Sequence, residues 1–156
     1  MIKLNKKIEY SLIILKALSQ KSVGERTSAR ELCEEFSIPF DTASKIMQTL
    51  NNVQIVGSAK GPKGGYYLIK PLNELSLTDL FSILNEKFLS LECIEDQCQI
   101  ASSCNISKPV KALAFFIENY FKELSLEEIL QFEVPQDYIG QITNLNNTAE
   151  GVKNEY

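Results

Sequence analysis

The stretch SARELCEEFSIPFDTASKIMQTL, residues 28–50, decides the fold. Ser28-Ala29-Arg30-Glu31 is a capping-box pattern, in which the serine hydroxyl and the glutamate carboxylate each satisfy a backbone amide left free at a helix start. It predicts a short helix through Phe36, with Leu32, Cys33 and Phe36 as its apolar positions. Ser37-Ile38-Pro39 breaks that helix. Pro39 is tolerated in the first turn of the next one, where its missing amide hydrogen is not needed. The second helix spans about 39–51. It carries Phe40, Ala43, Ile46, Met47 and Leu50 as a buried stripe and leaves Asp41, Thr42, Ser44, Lys45, Gln48 and Thr49 outside. Two short helices joined by a tight turn, the second with a small polar outer face, match a helix-turn-helix. An αα-hairpin used only for packing is the plainer reading of the same pattern.

The residues after Asn52 decide between the two. Residues 53–58 (Val-Gln-Ile-Val-Gly-Ser) and 66–69 (Tyr-Tyr-Leu-Ile) are β-branched or aromatic runs, with Ala-Lys-Gly-Pro-Lys-Gly-Gly at 59–65 between them. That predicts a hairpin with a glycine-rich, basic tip. The loop has neither the spacing of a nucleotide phosphate loop nor a helix after it. A helix-turn-helix continued at once by a two-stranded ribbon is a winged helix, whose second helix enters the major groove with its N-terminal residues nearest the base edges. The residues expected to face DNA are Ser28, Arg30, Asp41, Thr42, Ser44, Lys45 and Gln48 from the two helices, and Lys60, Lys63 and Gly64 from the wing. Lys60 and Lys63 suit phosphates or a minor groove.

Outward from this module, residues 6–19 read as a helix with Tyr10, Ile13, Ile14, Ala17 and Leu18 on one face. A second capping pattern, Ser76-Leu77-Thr78-Asp79, opens a helix expected over 77–88, amphipathic through Leu80, Phe81 and Leu84. A cysteine-bearing loop comes next, then a long helix from Ser107-Lys108-Pro109 to about Leu124. Val110, Leu113, Ile117, Tyr120 and Leu124 form its apolar stripe, and Ala112, Ala114, Phe115, Phe116 and Phe121 widen it beyond one face. A helix that apolar needs more cover than a small winged helix offers, so it is expected to dimerise rather than fill the chain's own core. Ser125-Leu126-Glu127-Glu128 caps a last short helix, 126–131. The expected fold is therefore mainly α with a small β-hairpin wing. A winged helix-turn-helix spans 1–72 (helix-turn-helix about 28–51, wing about 53–69), a cluster-binding loop and dimerisation helices span 73–133, and 134–156 is a flexible tail, polar and without period.

The chain has 156 residues and a net charge of −4, but the charge is divided. Residues 1–70 carry 11 basic against 6 acidic side chains, +5, and residues 71–156 carry 5 against 14, −9. A basic first half points to a polyanionic partner. No apolar run is long enough to span a bilayer, and the N-terminus lacks the apolar stretch of a secretory signal, so a cytoplasmic protein without a membrane partner is expected. With no histidine, the usual acid–base and nucleophile pairs are missing, which argues against an enzyme.

Three of the four cysteines, Cys93, Cys98 and Cys104, stand as C-x4-C-x5-C in one loop. Three thiolates this close suit a soft-ligand metal site, and the absence of histidine excludes every Cys/His zinc site. Ordinary thiols, or two that pair, are the bland alternative. An iron–sulfur cluster usually takes four protein ligands, so a fourth must come from outside the loop. Cys33 lies on an apolar helix face and reads as a small core residue.

Several motifs together carry a family resemblance over about residues 1–133: Glu9-Tyr10-Ser11-Leu12, Ser28-Ala29-Arg30-Glu31-Leu32, Ile38-Pro39, Gly61-Pro62-Lys63-Gly64-Gly65-Tyr66, and the cysteine triplet before a long helix. The chain resembles the bacterial IscR/NsrR family of winged-helix regulators. That resemblance implies a homodimer on an imperfect palindromic operator in double-stranded DNA, a repressor, and one iron–sulfur cluster per subunit, [4Fe–4S] or [2Fe–2S]. The IscR type uses a histidine shortly after the third cysteine, where this chain has Asn105, Ile106 and Ser107. The nitric-oxide-sensing NsrR type takes a carboxylate from the first helix of the partner. Glu9 matches that position, usually an aspartate, and the run from Cys98 to Ile106 looks like the NsrR pattern. The implied ligand set is thus Cys93, Cys98, Cys104 and Glu9 of the partner subunit. A solvated helix charge is the plain alternative for Glu9. Iron-responsive members share the three cysteines, so nitric oxide, redox state and iron all stay open as signals. A cluster-free thiol-based regulator of the same fold, or a scaffold dimer, is the other class of function.

Overall fold

The computed structural model describes residues 4–61, 64–89, 100, 103–133 and 135. Helix α1 (Lys6–Ser19) starts where the Asn5 side chain accepts from the Ile8 amide at 3.0 Å. Helix α2 (Ala29–Phe36) starts on the expected capping box: the Glu31 amide donates to Ser28 Oγ at 3.2 Å, and the Ser28 amide donates to Glu31 Oε2 at 2.7 Å. Ser37 ends it in the left-handed region, φ 53°, and the Ile38 amide closes back on the Cys33 carbonyl at 3.1 Å. Helix α3 (Phe40–Asn52) comes next, with Pro39 as its cap residue rather than inside its first turn.

The wing is β1 (Val56–Ala59) paired antiparallel with β2 (Gly65–Leu68), Val56 opposite Leu68 and Ala59 opposite Gly65. The first strand is shorter than the expected 53–58. Val53 caps α3 and Gln54 turns through φ 58°, so the chain reverses before it extends. Thr27 adds a bridge on the other edge of β2, exchanging amide and carbonyl with Tyr66 at 3.0 and 2.8 Å. The wing is thereby tied to the residue just ahead of the α2 cap.

A 3-10 turn (Leu72–Glu74) leads into α4 (Leu77–Ile83), capped by the Ser76–Asp79 box. The helix expected over 77–88 ends at Ile83, because Asn85 turns left-handed at φ 54° and the Glu86 amide folds back to the Phe81 carbonyl at 2.8 Å. Helix α5 (Ser107–Glu123) and α6 (Leu126–Gln131) are the last elements among the described residues, and Ser125 bridges Ser76 so that the α6 start lies against the α4 start.

One buried cluster runs through these elements: Ile8, Ile14, Leu15 and Leu18 of α1, Leu32 of α2, Ala43, Ile46, Met47 and Leu50 of α3, Val56 of β1, Leu80 and Phe81 of α4, and Leu126 of α6. Each fully buried Leu or Ile contributes about 1.5–3 kcal/mol. In α1 the buried face is centred on Ile8, Ser11, Ile14 and Leu15, and the expected Tyr10 and Ile13 are half-buried at its margin. Phe40, expected in the α3 stripe, is 57% exposed. It is the first residue of the helix, and side chains lean toward the helix N-terminus, so it overhangs the edge of the core instead of entering it. Helix α5 buries only Ala114, while Leu113, Phe115, Phe116 and Tyr120 are 59%, 62%, 68% and 60% exposed. Ile117 and Phe121 pack, half-buried, against the core, so α5 seats one edge on the chain's own core and leaves the rest of its apolar surface to solvent.

Candidate nucleic-acid interface and cysteine-bearing segment

The α3 face opposite Ala43, Ile46, Met47 and Leu50 carries Asp41, Lys45, Gln48 and Asn52, all exposed. Their spacing, 41, 45, 48 and 52, makes one stripe along the helix. Thr42 and Ser44 lie half-buried at its borders. Neither Asp41 nor Lys45 has an ion pair among the described residues, so both are open to a partner. The Thr49 hydroxyl is turned inward, donating to the Lys45 carbonyl at 2.9 Å. Phe40, at the N-terminal end of α3, is the one large apolar side chain of this helix turned to solvent, and an apolar contact with a thymine methyl suits it there. Its spacing to Ala43 hid this in the sequence; its place as the first helical residue was the available signal.

On α2, the Ser28 hydroxyl is engaged in its cap, and exposed Arg30 lies 3.9 Å from Glu34, one turn along. In the wing, Lys60 is exposed, and Lys63 lies outside the described residues. The Gly64 amide donates to the Gly61 carbonyl at 2.9 Å, which tightens the tip. A Cβ at Gly64 would stand 2.3 Å from the Ala59 carbonyl oxygen, so the turn requires glycine there. Arg26 lies over the Tyr67 ring, 6.0 Å from its centroid, and the same ring covers Gly57.

Cys93 and Cys98 lie outside the described residues. Cys104, half-buried and with a free thiol, sits three residues before the start of α5. The donors fit an iron–sulfur cluster by their chemistry: soft sulfur ligands, and no histidine to compete for the metal. Among the described residues, no three His, Cys, Asp or Glu side chains converge as a metal-binding group. Cys33 is half-buried against the core, and burial pushes its thiol pKa up, with Glu34 adding to the effect. It stays protonated and unreactive, as expected of a small core residue. Glu9 is half-buried on α1, its Oε2 held by Lys6 at 2.6 Å, and the carboxylate raises the pKa of the Lys6 ammonium in return.

A helix-turn-helix whose second helix presents an open polar stripe, backed by a wing hydrogen-bonded to the start of the first, defines a winged-helix DNA-binding regulator of transcription. The family model Rrf2, described as an iron-dependent transcriptional regulator, matches residues 4–131, and the chain belongs to that family. It is similar to the HTH-type transcriptional regulator NsrR of Oceanobacillus iheyensis, 28% identical over 134 residues that cover 83% of this chain and 90% of that protein. Among solved structures it shares its fold with CymR, the global cysteine regulator of B. subtilis, at TM-score 0.64 and 21% identity over 86% of this chain and all of that one. It likewise shares the fold of IscR of T. potens, at TM-score 0.62 and 19% identity over 87% of this chain and 96% of that one. The family and the Oceanobacillus iheyensis relative are described as transcriptional regulators, and the chain is not an enzyme. No described helix is long and apolar enough to cross a membrane.

Proposed function

We propose that this protein is a cytoplasmic homodimeric repressor that grips a palindromic operator through α3 and the wing and is switched by an iron–sulfur cluster. Cys93, Cys98 and Cys104, with Glu9 of the partner subunit, would hold one [4Fe–4S] or [2Fe–2S] cluster per subunit. What carries this is a histidine-free set of three cysteines ending just before α5, in a chain whose family is described as iron-dependent. When bound, such a cluster supplies a centre sensitive to nitric oxide, oxidants and iron supply. The NsrR-type resemblance favours nitric oxide among these.

The chain's own residues supply the rest. The apolar α5 face, with Leu113, Phe115, Phe116 and Tyr120 turned outward, is a surface for a second copy. Helix α1 packs on α3, so a bond from Glu9 to the partner's sulfur-bearing segment would fix the separation of the two α3 helices. That separation must match the half-site spacing of the operator. Once Glu9 returns to Lys6, the two reading heads lose register and the repressed genes are transcribed.

Anaerobic purification tests this. A brown protein with stoichiometric iron and sulfide, whose operator affinity falls after nitric oxide, is the expected outcome. A colourless protein that binds the operator equally under all conditions would replace it with the cluster-free thiol regulator or scaffold. Glu9→Ala should leave the cluster labile or its spectrum altered; an unchanged spectrum would remove Glu9 from the ligand set.

A further inference from the structure

The α1 start is fastened to the far end of α4 by one carboxylate. Glu86 Oε2 accepts from the Asn5 side-chain Nδ2 at 2.6 Å, and Glu86 Oε1 pairs with Lys7 Nζ at 3.1 Å. Lys7 also donates to the Leu84 carbonyl. Both side chains of the ion pair are partly shielded, with 39% and 27% of Lys7 and Glu86 exposed. A carboxylate that takes two donors from one short segment, and shares the lysine with a backbone carbonyl, holds position better than a lone surface pair.

Its place in the chain matters. Asn5 caps α1, and Lys7 and Glu9 lie within the turn after it. Residues two apart on a helix point to nearly opposite sides. Lys7 and Glu9 therefore leave α1 on different sides, each of them half-buried. On the other side, Glu86 lies in the turn that leaves α4, between left-handed Asn85 and buried Phe88, whose ring packs at 5.2 Å from both Phe81 and Phe121. The cysteine-bearing segment begins only a few residues later, with Cys93. One carboxylate thus joins the entrance of that segment to the helix that bears on α3.

We infer that Glu86 is a positioning residue that couples the cysteine-bearing segment to the recognition helix of its own subunit, by clamping the first turn of α1 through Asn5 and Lys7. This rests on the iron–sulfur switch proposed above and deepens it: the cross-dimer bond of Glu9 sets spacing, and the Glu86 clamp carries the state of the segment to α3 in the same chain. Glu86 touches neither DNA nor metal in this role.

Two measurements on the full-length protein test it. The first is hydrogen exchange of the iron-free protein at residues 5–9 and 81–88. Glu86→Ala should speed exchange in both segments, and unchanged exchange overturns the clamp. The second is anaerobic operator affinity with and without the cluster reconstituted from iron and sulfide. A wild-type ratio on the order of 10-fold or more should fall to within about 2-fold of unity in Glu86→Ala, with a wild-type iron-free affinity. Glu86→Gln, which still accepts from Asn5, should recover part of the ratio. A ratio in Glu86→Ala equal to wild type overturns the coupling. If Glu86→Ala fails to fold, Asn5→Ala and Lys7→Met remove the same bonds from the other side and are judged by the same two readouts. A wild-type ratio of unity sinks the switch itself, and the exchange measurement then decides alone whether Glu86 positions α1.

Discussion

Lys45 stands in the middle of the exposed α3 stripe without an ion pair among the described residues, one turn after Asp41 and just before Gln48. A base contact at this position makes Lys45→Ala cost about 1–3 kcal/mol on the operator and much less on random DNA. Competition binding against both DNAs measures it, and equal losses would make Lys45 a phosphate contact. Lys63→Ala should lower the slope of log affinity against log salt by about 1; an unchanged slope takes Lys63 out of the interface. At this scale the sequence was legible wherever a residue's role depends on the helical period alone. The polar stripe of α3 came from that period. Phe40 did not, because the period says which side a residue faces and not whether a core lies there to receive it. Gly64 was expected to face DNA; the structure adds that its missing Cβ is what lets the wing tip close on the Ala59 carbonyl.

At the scale of elements, three helices begin on the same device: Ser28 with Glu31, Ser76 with Asp79, and Ser125 with Glu128. In each, hydrogen bonds from the serine hold the carboxylate below its ordinary pKa. A carboxylate depressed on folding contributes stability above its unfolded pKa and loses it as pH falls through the folded value. Stability should therefore be flat near neutrality and decline as pH drops below about 4. Thermal melts across pH 2–7 check this, and Ser76→Ala should flatten part of the decline while costing about 1 kcal/mol at pH 7. All three boxes were readable as short patterns, because capping needs only residues three apart. The element ends were less so. The early stop of α4 and the delayed start of β1 depend on left-handed turns at Asn85 and Gln54, neither of them glycine. Asparagine enters that region more readily than most residues with a Cβ and glutamine does not, but neither residue type by itself marks a turn in the sequence.

For the molecule as a whole, the exposed apolar face of α5 is the dominant unfinished surface. Phe116→Glu should convert the proposed dimer to a monomer in analytical ultracentrifugation and weaken operator binding by well over 10-fold, since two linked reading heads would reinforce each other. A charged variant that stays dimeric would place the interface elsewhere. By itself, the order of capping boxes, apolar periods and glycine-rich tip determined the winged helix and its outward polar stripe, because those signals are local and each acts over a few residues. The cysteine spacing and the missing histidine likewise determined which metal chemistry was open. Only the tertiary structure decided that α5 leaves its aromatic face to solvent, that the wing is bonded to Thr27, and that Glu86 reaches back some eighty residues to Asn5 and Lys7. Those facts depend on how distant segments stack around a shared core, and no local period encodes the distance between two surfaces.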